Sequence, residues 1–172
     1  MMTRRSLNEI FLPGNTCFGC GLANPMGLGA KFYLDQKSSD RIFGTFDVPP
    51  HATGLPGFVH GGDLYTSLDC LAAWVIFILR SNRKFIPVGR SSTITYHKPA
   101  RAGQRLTLVG TIAKEGPKQG DPVAVHGEIR DTKGELLAEG DLTMVPLPVE
   151  KFKKVAEIDR LPEDLARHFD ET

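Results

Sequence analysis

A chain of 172 residues has room for one domain with a terminal extension and little more. Its 21 basic and 20 acidic residues leave a formal charge of +1, without the basic excess that a nucleic-acid binder would carry. Three cysteines, an odd number at this length, do not form a disulfide framework, and a reducing, cytoplasmic setting is expected.

The N-terminus has Arg4 and Arg5 but no apolar run of signal-peptide length behind them. The first thirty residues scatter Gly and Pro and read as irregular. Two strands follow, Ala30 to Leu34 and Arg41 to Val48, with the polar turn Asp35 to Asp40 making an antiparallel hairpin. Residues 49–57, PPHATGLPG, then interrupt the sheet.

From Gly61 to about Arg80 there is no proline and no glycine after Gly62, so a helix is expected. Its second half is apolar on nearly every side, as in a helix buried in a core. Leu71 to Leu79, its most apolar stretch, falls short of the roughly 20 residues that span a bilayer, so no membrane partner is expected. Four strands follow: Ile86 to His97, Arg105 to Ala113, Val123 to Arg130, and Leu136 to Val145. Asp131 to Gly134 forms the last hairpin turn. One buried helix interrupting an antiparallel sheet defines an α+β architecture with the sheet wrapped around that helix. The expected division is an irregular segment 1–29, a domain 30–148 and a charged extension 149–172, in which Leu161 to Phe169 reads as a short surface helix.

Three segments carry a family resemblance. GFVHGGDLYTSLDCLAAW, Gly57 to Trp74, resembles the helix signature of the PaaI-like hotdog thioesterases, with an acidic residue, Asp69, nine positions after His60. CFGCGLANPMGL, Cys17 to Leu28, is similar to the leader of one subgroup, and STITYHKPA, Ser92 to Ala100, to its Tyr-x-x-Pro-Ala strand. Some relatives carry Asn where this chain has Gly54, and Ser or Thr near Gly89, where Ser91 and Ser92 lie close by. The resemblance implies the hotdog fold, hydrolysis of acyl-CoA thioesters, and sites at a subunit interface in a homodimer or dimer of dimers.

The residues suit that chemistry. A helix's first turn presents N–H groups without internal partners, and glycines at 61 and 62 let a carbonyl approach them, which makes an oxyanion hole. Asp69, among Leu64, Leu68, Leu71 and Ala72, is costly to bury unless paired or used, and is the candidate base or nucleophile. Gly62 and Asp69 lie roughly 10 Å apart along one helix, so a second, antiparallel copy would be needed to bring them to one carbonyl. His60 either orients substrate or fixes the turn, and Asp63 is a dipole partner in the first turn.

Coenzyme A is anionic, and Arg90, Lys98 and Arg101, with Ser91, are the candidates for binding it. Cys17 and Cys20 have ligand-like spacing, but no second Cys or His pair follows at zinc-site spacing, and Cys70 reads as a core residue. No metal and no cofactor are therefore expected. A hydratase of the same fold would want an Asp and His pair on one segment, and the helix carries no His after His60. A non-catalytic acyl-binding module is the alternative from another class.

Overall fold

The computed structural model describes residues 5–36 and 38–169. It begins with a short helix, α1 (Leu7–Phe11), where an irregular stretch was expected. The reason is a capping box: the Ser6 hydroxyl accepts from the Glu9 amide, and the Glu9 carboxylate accepts from the Ser6 amide. Five residues are too few for a visible helical period, and tertiary contacts complete the element. Buried Asn8 donates to the carbonyls of Cys20 and Ala30 at 2.8 and 3.1 Å and accepts from the Phe32 amide at 2.9 Å. One side chain thus ties the leader to the sheet.

The sheet has six antiparallel strands: β1 (Lys31–Leu34), β2 (Arg41–Asp47), β3 (Phe85–Tyr96), β4 (Arg105–Glu115), β5 (Val123–Arg130) and β6 (Leu136–Pro148). They lie in the order β1-β2-β4-β5-β6-β3, so β1 and β3 are the edges. Burial alternates along β2 and β5, which places Ile42, Phe46, Val125 and Ile129 on the inner face. β6 runs past the expected end at Val145 because Pro146 stands opposite Pro87, so both missing donors fall at one rung of the ladder.

Between β2 and β3 runs α2 (Gly61–Leu79), packed against β2 through β6. It is long and apolar enough to cross a membrane, but Leu68, Leu71, Ala72, Val75 and Ile76 are fully buried against the sheet. A row of three glycines makes that packing close. Gly110, Gly127 and Gly140 stand in register on β4, β5 and β6. A Cβ at Gly110 would lie 2.8 Å from Val75 Cγ2, and one at Gly127 would lie 2.8 Å from Leu68 Cδ2. The helix therefore sits in a groove that only hydrogen-sized side chains leave open.

After β6 come α3 (Val149–Ala156) and α4 (Glu163–Ala166). The sequence reading placed a helix over Leu161 to Phe169 and none over residues 149–156. Instead Leu161 and Phe169 anchor a small second cluster on Ile86, which limits α4 to a single turn between them. Gly14 and Phe11 of the leader bond to Asp164 and His168, so the leader and the C-terminal extension meet beside Phe77 of α2.

Candidate active site

His60 is the N-cap of α2, and its ring accepts the Gly62 amide through Nδ1 at 2.9 Å. That bond uses one of the two donors expected to hold an oxyanion. It favours the turn-fixing role for His60, and it leaves the Gly61 amide at the first helical position, where the helix offers no internal acceptor. The Tyr96 hydroxyl donates to the Gly61 carbonyl at 2.9 Å, joining the helix start to β3. His60 and Gly61 line an apolar cavity of about 530 Å³ with Gly54, Leu55, Phe58 and Pro99.

Asp69 stands elsewhere. It is half-buried and lines a cleft of about 400 Å³ with Tyr65, Gly89, Arg90, Ser91 and Ser92. A Cβ on Gly89 would lie 3.3 Å from Asp69 Oδ1, so the carboxylate rests directly against the β3 backbone. The β3 ladder slips between Gly89 and Ser91, a bulge that turns Arg90 and its neighbours toward the cleft. Burial raises the Asp69 pKa above the usual carboxylate value, with a smaller push from the nearby Cys17 sulfur.

One chain thus brings Asp69, Arg90 and Ser91 together and holds His60, Gly61 and Gly62 apart from them. Lys98 pairs with Glu135, and the Arg101 guanidinium lies 5.2 Å from the centre of the Phe58 ring, beside the apolar cavity. Sequence reasoning gave no role to Tyr65, nor to Tyr96, although Tyr96 opens the Tyr-x-x-Pro-Ala segment. Tyr65 lies four residues before Asp69, the spacing that puts two side chains on one helix face, so its signal was present. The motif marked Tyr96, but its bond to Gly61 shows only once β3 is seen to cross the start of α2.

Residues 56–138 match the model of the thioesterase superfamily. A thioesterase of Haemophilus influenzae has the same fold, with a TM-score of 0.65 at 19% identity over 81% of this chain and 92% of its own. The PaaI protein of the E. coli phenylacetic acid degradation operon aligns with a TM-score of 0.59 at 19% identity, covering 70% and 80% of the two chains. A Streptococcus mutans protein bound to acetyl-CoA aligns at 0.58 and 21% identity, covering 68% and 89%. No curated protein matches the chain in sequence. The curved six-stranded sheet around one long helix is the hotdog fold, which the chain shares with these solved structures.

Proposed function

We propose that this protein hydrolyses acyl-CoA thioesters to a free acid and coenzyme A. The observation that carries the reading is Asp69: a half-buried carboxylate at the start of the apolar half of α2, facing a cleft lined by Arg90 and two serines. Asp69 either takes a proton from water as that water attacks the thioester carbon, or attacks that carbon itself to form an anhydride that water then cleaves to the free acid. The carbonyl electrons move onto oxygen, which the Gly61 amide holds, and their return expels the coenzyme A thiolate. Arg90 is the cation placed to meet a coenzyme A phosphate.

The working unit in this reading is a homodimer or a dimer of dimers in the cytoplasm. Two features support it. The helix start and Asp69 face different cavities within one chain, as their separation along α2 requires. β3 is an edge strand whose Gly89 to Thr93 run is exposed on both faces, and an exposed edge is a template for a second copy. The acetyl-CoA held by the S. mutans neighbour supports the ligand class.

The test is thiol release from a panel of acyl-CoA substrates by the wild-type chain and by Asp69→Asn. The variant is expected to lose about 10²–10⁴ in kcat while its fold and oligomeric state persist. Wild-type kcat in Asp69→Asn would remove Asp69 from the chemistry. Tight acyl-CoA binding without thiol release would assign a binding module instead.

A further inference from the structure

The three cysteines are separate features in the sequence, yet the fold gathers them. Cys17 and Cys20 sit in the leader, Cys70 on α2, and all three sulfurs lie within 4.8 Å of one another. The Cys17 and Cys70 sulfurs are 3.7 Å apart. A tetrahedral ion with Zn–S bonds of about 2.3 Å holds its sulfurs about 3.8 Å from each other. The expectation of no metal rested on the lack of a second Cys or His pair nearby. The third ligand comes singly, 53 residues away, from the core helix.

The surroundings distinguish this cluster from cysteines packed as small hydrophobes. The Gly21 amide donates to the Cys17 carbonyl at 2.8 Å, closing the Cys-x-x-Cys-Gly turn. No side chain fits within that turn. A Cβ at Gly19 would lie 2.5 Å from the Cys70 sulfur, and one at Gly21 would lie 2.4 Å from the Cys17 nitrogen. Trp74 lines the same cavity as the three cysteines.

We propose that Cys17, Cys20 and Cys70 form a binding site for a thiophilic divalent cation of the zinc class. Its fourth coordination position opens onto a cavity of about 240 Å³ that Asp69, Trp74 and Phe77 also line. Cys20 and Cys70 are 5% and 7% exposed, so the ion is enclosed on the protein side, and Cys17 at the half-buried mouth provides the entry path. Binding releases the thiol protons and ties the leader to α2 one residue from Asp69. The site does not depend on the hydrolase reading, and its test does not use activity.

The full chain, purified under reducing, chelator-free conditions, should retain about one zinc ion by elemental mass spectrometry. After metal removal, Co²⁺ titration should produce sulfur-to-cobalt charge-transfer absorption and the strong visible bands of a tetrahedral ion. Both should saturate at one equivalent and bleach when zinc is added. Cys70→Ser should weaken the charge-transfer band. Cys17→Ser, at the half-buried position, gives the same reading if Cys70→Ser fails to fold. Chelator should lower the Tm of the wild type but not that of the variant with all three cysteines changed to serine. Absence of the cobalt band in the reduced wild type would overturn the site, as would an equal band in the triple variant. A disulfide among these cysteines that gives no metal-binding form on reduction would also overturn it.

Discussion

The Gly62 amide donates to His60 Nδ1 across 2.9 Å, and a Cβ on Gly62 would lie 2.8 Å from that same nitrogen. A substitution at Gly62 therefore acts first on the helix cap. Gly62→Ala should displace the His60 ring and destabilise the fold by about 1 kcal/mol, the usual worth of an N-cap bond. At Gly61 a Cβ would lie 3.3 Å from the Tyr96 ring, tight but tolerable, and neither glycine needs a positive φ. Gly61→Ala should therefore leave the Tm nearly unchanged while lowering kcat by about 10²–10³ if that amide holds the oxyanion. Steady-state kinetics and a thermal melt on each variant separate the two roles. A well-folded Gly61→Ala enzyme with wild-type kcat would place the oxyanion elsewhere.

The fold was legible because its strongest signals are local. α2 shows itself in the apolar run after Gly62, and β2 and β5 in their alternation. Asp69 stood out as a carboxylate in that run, with the resemblance adding its spacing from His60. The row of Gly110, Gly127 and Gly140 was not legible, because single glycines in three strands reveal a shared purpose only when the strands are in register. Cys70 is the same case: its sulfur meets Cys17 through the packing of α2 against the leader. The split between the Asp69 cleft and the His60 cavity followed from helix rise alone, whereas the bond occupying the Gly62 amide needed the ring's placement.

The exposed edge of β3 makes a test of assembly. Thr93 is exposed on that edge, where a second strand would pair. Thr93→Lys puts like charges there, which opposes pairing. The variant should sediment as a monomer and lose thioesterase activity together with the dimer. An active Thr93→Lys monomer would show that one chain completes the site.

Arg80 ends α2 and forms a two-pronged pair with Glu115 on β4, at 2.8 and 2.6 Å. The Arg80 hydrogen bond holds the Glu115 pKa below its usual value. A depressed carboxylate pKa contributes stability above the unfolded-state value, and that contribution is lost as pH falls through the folded-state pKa. Both side chains are about a third exposed, so the pair contributes about 0.5 kcal/mol. Glu115→Gln should lower Tm by about 1–2 °C at pH 7, and the difference should vanish in acid. Melts of both proteins across pH, at low and high salt, measure it; a difference that persists at acid pH would assign the loss to packing.

The glycine row governs how closely the sheet holds α2. At Gly110 an added Cβ meets Val75 Cγ2 at 2.8 Å and Leu71 Cγ at 2.9 Å, and Val75, branched at Cβ, has little rotamer freedom in a helix. At Gly127 the nearest atom is Leu68 Cδ2, the end of a more adaptable side chain. Gly110→Ala should therefore destabilise more than Gly127→Ala, by about 1–3 kcal/mol for an overpacked core site. That corresponds to a fall in Tm of about 3–8 °C for a chain of this size. The strain is relieved by lifting α2 from β4, which moves Asp69 relative to Gly89, so kcat should fall in the fraction that remains folded. Equal melting temperatures for Gly110→Ala and wild type would mean that the helix has room to spare, and the close packing inferred from the three glycines would be wrong.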